Sequence, residues 1–169
     1  MVLINVVGFP FPLKGKSFNE LSEDEERYFC DWDEYFLPYN HAVQIVLLNE
    51  KSFVCVRDLA FKRLWRDSVS GLIRFPIEKR KSLHDKWNSE SGLQDVRQWL
   101  YDLGISFSRN VFLLYPEQVI YTPWKLLVRY WNGFAWSVGM GMYAFDASMN
   151  WVCEFHHEDV IIYSTFTKV

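Results

Sequence analysis

Hydrophobic and polar residues alternate along the chain with two periods, one typical of strands and one typical of helices. The apolar stretch at residues 1–7 predicts a first strand. A helix is predicted over residues 23–35, because apolar residues recur there every three or four positions and Pro38 follows. Ser22 and Glu25 have the spacing of a capping box, which favours a helix start at this point.

The middle of the chain predicts a hairpin, a helix and a polar segment. Short apolar runs at residues 42–48 and 53–56 are separated by polar residues, and this pattern is typical of a hairpin. Asp58 is then expected to cap a helix over residues 59–67. Residues 76–91 form the most polar stretch, so we expect a surface excursion there.

The remaining sequence predicts two further helices and several strands. Residues 91–103 carry their hydrophobic side chains on one side and are followed by Gly104, which is typical of a helix and its C-terminal end. The elements expected after it are strands over 111–115 and 119–122, a helix over 123–131, and strands over 136–145, 151–155 and 160–163. Short connections between the last three strands favour an antiparallel meander.

A weak internal similarity appears when the chain is shifted by 66 residues. The aligned residues are Leu47-Leu48 with Leu113-Leu114, Val54 with Ile120, and Arg63-Leu64-Trp65 with Arg129-Tyr130-Trp131. Chance or shared architecture explains these few identities as well as duplication does. We predict an α+β fold, with a largely antiparallel sheet and helices packed on one face; two strand–strand–helix units would fit it.

Composition narrows the class of protein. The chain has 169 residues, which predicts a single globular domain over residues 1–169. Eight Trp, 9 Tyr and 14 Phe with only 8 Gly and 6 Pro exclude disordered and low-complexity classes. The net charge of −3 disfavours nucleic acid as a partner. So many aromatic side chains exceed what a small core hides, which is compatible with a homodimer.

Targeting signals and cysteines suggest a compartment. The N-terminal apolar run has no basic residue before it, and no apolar stretch is long enough to span a bilayer. Cys30, Cys55 and Cys153 are widely spaced in apolar surroundings, so we expect reduced, buried thiols. These observations predict a cytoplasmic protein without membrane contact and without a cofactor.

The segment that ends in His156, His157, Glu158 and Asp159 contains the side chains from which metal and acid–base sites are built. In an extended segment His156 shares a face with Glu158, and His157 shares the other face with Asp159. Each face then offers two ligands, whereas a catalytic zinc usually needs three from the protein. We therefore predict no metal site; a hydrolase that uses these residues is the alternative.

Acidic and aromatic residues are concentrated near the predicted first helix. The candidate binding face consists of Glu23, Asp24, Glu26, Tyr28, Trp32, Asp33 and Tyr35. A solvated helix face explains the charges equally well, and a core explains the aromatic residues. As a docking surface, the negative patch would attract a basic protein partner, and its Trp and Tyr side chains are typical interface hot spots.

The last third of the chain contains a series of short motifs. They are Val111-Phe112-Leu113-Leu114, Thr122-Pro123-Trp124, Arg129-Tyr130-Trp131, and Trp151 followed by His156-His157-Glu158 ahead of the strand at 160–163. In this order the series resembles small bacterial proteins of the immunity type. The resemblance implies a cognate inhibitor that binds a toxin and covers its active site, and it implies no catalytic role for the histidines. The sequence thus predicts a non-enzymatic protein-binding protein.

Overall fold

The computed structural model of the chain describes residues 1–26, 37–65, 75–87, 89–136 and 141–165. Its strands are β1 (Val2–Ile4), β2 (Leu13–Ser17), β3 (Val46–Leu48), β4 (Ile77–Ser82), β5 (Asn110–Leu114), β6 (Val119–Pro123), β7 (Met142–Phe145), β8 (Trp151–His156) and β9 (Val160–Thr165). Its helices are α1 (Glu23–Glu26), α2 (Tyr39–Ala42), α3 (Glu50–Leu64), α4 (Glu90–Tyr101), α5 (Trp124–Arg129) and α6 (Trp131–Trp136), and a 3-10 turn covers Phe18–Glu20.

The strands form one sheet in the order β1-β2-β3-β6-β5-β7-β8-β9-β4, with every neighbouring pair antiparallel. This arrangement confirms the α+β class and the antiparallel sheet. The predicted meander is β7-β8-β9, in which Met142 lies opposite Phe155 and Phe155 lies opposite Ile161. None of the described helices is long and apolar enough to cross a membrane.

Both faces of the sheet are covered, which corrects the prediction of helices on one face. Val111 and Leu113 of β5 join the core under α4, α5 and α6. Phe112 and Leu114 of the same strand face α3. A strand of four consecutive buried residues, Val111–Leu114, has no solvated side, and helices must therefore cover it from two directions.

The predicted hairpin over 42–48 and 53–56 is wrong in its second half, because residues 53–56 lie inside α3. Asn49 caps this helix by accepting a hydrogen bond from the Ser52 backbone N–H at 3.0 Å. Asp58, the expected cap, therefore lies in the helix interior. The two halves of the 66-residue similarity also differ, since one is strand then helix and the other is two strands then a helix.

Two strands of the sheet, β4 and β2, differ from the sequence prediction. Ile77–Ser82 is the edge strand β4, which pairs with β9, so the polar excursion expected over 76–91 is partly a strand. The strand β2 was not predicted. Its Gly15 lies so close to β3 that a Cβ atom there would stand 2.5 Å from the Leu47 carbonyl oxygen. The sequence does not indicate β2, because its exposed lysines and this glycine are residue types that are uncommon in strands.

The helices predicted over residues 23–35 and 123–131 have different outcomes. Ser22 and Glu25 make the expected capping contacts, with the Ser22 N–H donating to Glu25 Oε2 at 2.8 Å. Residues 27–35 of the predicted first helix lie outside the described residues. The predicted helix over 123–131 is divided at Tyr130 into α5 and α6, and α6 continues to Trp136, where a strand was expected.

A candidate binding cleft

A cleft of about 640 Å³ opens on the sheet face that carries α4 and α5. Its lining combines cationic, aromatic and apolar side chains from three helices and the segment after α4. The residues are His41, Gln94, Arg97, Phe107, Lys125, Leu126, Val128, Arg129 and Tyr130. The volume is in the range of small-molecule and side-chain binding sites, roughly 300–1,000 Å³.

Helix α5 supplies the cationic wall of the cleft. Lys125 and Arg129 are exposed and four residues apart, so their side chains project from the same side of the helix. Leu126 and Val128 are buried between them and anchor α5 on the core. Neither cation forms an ion pair with a carboxylate of the described residues.

The third cation of the cleft, Arg97 of α4, is held in place by two contacts. Its Nη1 atom lies 2.8 Å from Glu90 Oε1. Its Nε–H donates to the backbone carbonyl of Arg129 at 3.1 Å and thereby joins α4 to the end of α5. Arg97 therefore adds positive charge that Glu90 partly neutralises, and it fixes the spacing of the two helices.

His41 of α2 closes the cleft from the other side. Its Nδ1 atom lies 2.6 Å from the Tyr130 hydroxyl, and the guanidinium of Arg129 lies over the same tyrosine ring, 5.5 Å from its centre. Burial, followed by the charges of Arg129 and Lys125, lowers the pKa of His41 below its ordinary value. Burial and the two neighbouring cations thus all disfavour the protonated imidazole.

Exposed hydrophobic side chains lie at one end of the cleft and elsewhere on the α2 segment. Tyr101 and Phe107 contact each other with their ring centres 5.5 Å apart, and they are 55% and 43% exposed. Tyr39 and Val43 lie two residues before and after His41 on the α2 segment and are 66% and 42% exposed. The cationic centre is thus bordered by apolar surface on the side of Phe107.

The predicted catalytic or metal candidates form a hairpin turn. His156 ends β8, and its Nδ1 accepts a hydrogen bond from the Glu158 backbone N–H at 3.2 Å. The rings of His156 and His157 contact each other, tilted by 32°, with centres 4.1 Å apart. Asp159 has a φ of +54° and closes this three-residue connection to β9. In the described parts of the chain, no group of three or more His, Cys, Asp or Glu could hold a metal ion.

Two buried ionisable groups lie in the strand before this turn. Burial raises the pKa of Glu154, which accepts a hydrogen bond from its cross-strand neighbour Tyr143. Burial also raises the pKa of the Cys153 thiol, which is fully buried and free. The expected burial of Cys153 is thus confirmed. Cys55 is free but only partly buried, and Cys30 lies outside the described residues.

The acidic and aromatic face predicted near the first helix falls largely outside the described residues. Tyr28, Trp32, Asp33 and Tyr35 lie there, and for Glu23 and Asp24 the structure gives the helical backbone alone. Glu26 is partly exposed at the end of α1. The neighbouring Glu25 is paired with Lys16 at 2.6 Å, so part of this negative charge is neutralised within the chain.

Sequence reasoning missed the cleft, because its residues come from separate segments and none belongs to a motif of its own. The one local signal was the exposed Lys125 and Arg129 pair in a helix of otherwise buried residues. No protein-family model matches the chain, and no similar chain was found among curated proteins or solved structures.

Proposed function

We propose that the protein is a non-enzymatic protein-binding protein whose cleft between α2, α4 and α5 receives an acidic segment of its partner. The observation that carries this proposal is the pair of exposed cations, Lys125 and Arg129, which have no carboxylate partner within the described residues. A positive site on a chain with net charge −3 is a local feature of the surface. Charge complementarity with an acidic partner would accelerate association and set its orientation.

The borders of the cleft support a protein partner. Tyr and Arg are enriched at interface hot spots, and a central polar contact bordered by aromatic side chains is typical of them. Tyr101 and Phe107 form such a border on one side of the cleft. A partner that covered the cleft would remove these exposed rings from water and gain hydrophobic free energy.

A narrower proposal follows from the resemblance to immunity-type proteins. The partner would then be a toxin encoded beside this protein, and binding would cover the toxin's active site in the cytoplasm. In that proposal, the contact could be made by the cleft or by the predicted acidic face that includes Glu26. The two surfaces have opposite charge, so a charge reversal on either one should weaken the complex only if that surface is the interface.

The test uses the purified full chain and the purified product of the adjacent gene, with their dissociation constant measured by calorimetry. Lys125→Glu is expected to weaken the complex by about tenfold or more, with a loss that shrinks in high salt. Lys62→Glu is the matched control, because Lys62 is exposed on α3 at the opposite face of the sheet.

Three outcomes decide the proposal. A complex weakened by Lys125→Glu and not by Lys62→Glu supports binding through the cleft. A complex weakened by Glu26→Lys but not by Lys125→Glu would show that the acidic face is the interface, and it would overturn the proposal. Absence of a complex at micromolar concentrations would remove the adjacent gene product as the partner and the toxin proposal with it.

A further inference from the structure

Positive charge surrounds His41 in the cleft. The imidazole faces Arg129 and Lys125 of α5, and both lower its pKa in addition to the effect of burial. Arg97 of α4 lines the same cleft, with its charge shared with Glu90. An anion bound among these groups would offset part of this positive charge and thereby favour the protonated imidazole.

The Tyr130 hydroxyl allows this protonation without loss of a hydrogen bond. A phenol can donate to a neutral Nδ1 atom, and its oxygen can accept from Nδ1–H of an imidazolium. The separation of 2.6 Å between Nδ1 and the hydroxyl oxygen suits either direction. His41 can therefore change charge while its ring stays in position.

We infer that a carboxylate of the partner's acidic segment binds in the cleft beside Lys125, Arg129 and His41, and that His41 takes up a proton from solvent as it binds. This inference rests on the proposed function, because it names the chemical group that the cleft recognises. Arg129 offers a planar fork and Lys125 a point charge to the carboxylate. The buried side chains of Leu126 and Val128 form the floor of the site. The ion pairs of the carboxylate with Lys125 and Arg129 would therefore be partly shielded from water.

The direction of the pH dependence follows from this linkage. Binding of the carboxylate raises the pKa of His41 from its lowered value, so the complex binds more protons than the free chain does. Affinity therefore increases as the pH falls through the pKa of the complex and levels off below that of the free protein. Each unit by which the two pKa values differ corresponds to about a tenfold change in affinity.

The experiment titrates the free full-length chain with a hexaglutamate peptide between about pH 5.5 and 8, where glutamate stays ionised. Calorimetry in two buffers of different ionisation enthalpy measures the protons taken up, and NMR follows the His41 ring. The expected result is tighter binding at low pH with uptake of a fraction of one proton. His41→Gln should bind with little pH dependence, and Lys125→Gln should bind more weakly by about fivefold.

Controls separate this inference from the proposed function. Lys62→Gln should bind hexaglutamate as the unchanged protein does. Inorganic phosphate is the second probe; a chain that binds phosphate and not hexaglutamate would overturn the assignment to a carboxylate. Hexaglutamate binding without proton uptake, or with a pH dependence that persists in His41→Gln, would overturn the role of His41. An adjacent-gene complex that depends on Lys125 but not on pH would leave the function supported and this inference refuted.

Discussion

The β8–β9 turn and the cleft both gather imidazoles and charged side chains, but these side chains find their partners in different places. In the turn, His156 accepts a hydrogen bond from the Glu158 backbone, and Asp159 accepts one from the Trp87 indole. In the cleft, Lys125 and Arg129 have no carboxylate partner within the described part of the chain. Polar groups satisfied by their own fold stabilise it, whereas unpaired groups at a concave surface are available to another molecule.

The largest expected effect comes from Trp124, which packs α5, the cationic wall of the cleft, against the start of β8. Its fully buried ring meets Trp151 of β8 edge to face, with ring centres 5.6 Å apart. Trp124→Ala should lower the free energy of unfolding by about 3–5 kcal/mol, as is typical of large buried aromatic residues. Urea denaturation measures this, and Lys125→Gln on the same helix should stay within about 0.5 kcal/mol of the unchanged protein. A small loss in Trp124→Ala would mean that α5 and β8 are stabilised independently.

A smaller effect is expected at Asp159 in the turn. Its backbone has a φ of +54°, and its Oδ1 accepts a hydrogen bond from the Trp87 indole at 3.1 Å. Asp159→Ala should lower the free energy of unfolding by about 1–2 kcal/mol, because alanine disfavours positive φ and the indole loses this hydrogen bond. Asp159→Asn keeps an acceptor and tolerates this backbone, so it should lose less. Equal losses in thermal unfolding would contradict this account of the turn.

Glu154 should give a pH-dependent effect of similar or smaller size. Burial raises its pKa in the folded state above the ordinary value of 4.5, so the carboxyl favours folding at low pH and this contribution is lost as the pH rises through the folded pKa. Glu154→Gln should therefore be more stable at neutral pH by on the order of 1 kcal/mol and show no gain below about pH 4. Urea unfolding at several pH values measures the difference; a gain that grows toward low pH would contradict the sign.

The smallest effect on stability is expected from substitution of Glu90, which should change ligand binding in the cleft more than it changes the free energy of unfolding. Glu90 is 79% exposed at its ion pair with Arg97, so Glu90→Gln should change the free energy of unfolding by less than about 0.5 kcal/mol. The same change leaves Arg97 without a countercharge and should tighten hexaglutamate binding by about twofold. Weaker binding in this variant would show that Arg97 positions α5 and contributes little charge to the cleft.

The elements that the sequence predicted well have a strong local signal. Helix α4 has one apolar side and a following Gly104 with a φ of +74°, and the meander strands are short apolar runs with short connections. Phe53–Val56 was misinterpreted because four apolar residues fit a strand and a buried helix turn equally well. The sequence did not indicate strand β4, because among the described strands it pairs with β9 alone and its other side tolerates polar residues.

The candidate site was less predictable than the fold for a physical reason. His41, Arg97 and Arg129 lie far apart in sequence and meet only when α2, α4 and α5 pack on the same sheet face. His156 and His157 are adjacent in sequence, so the sequence alone indicates them as candidates for a catalytic or metal site. In the structure, a hairpin turn accounts for their contacts. The spacing of residues in the sequence can indicate a site within one helix or strand. A cleft that is assembled from three helices becomes visible only in the tertiary structure.

The pairing of β4 with β9 has a consequence for synthesis of the chain. Residues 77–82 emerge from the ribosome well before residues 160–165, with which they pair. During that interval β9, the partner strand of this segment, has not yet been synthesised, and non-local strand pairings of this kind form slowly. Until β9 is available, the positive charges of Lys79-Arg80-Lys81 would repel the same segment of a second nascent chain. The same polar character that hides the strand in the sequence thus keeps the growing polypeptide from associating too early.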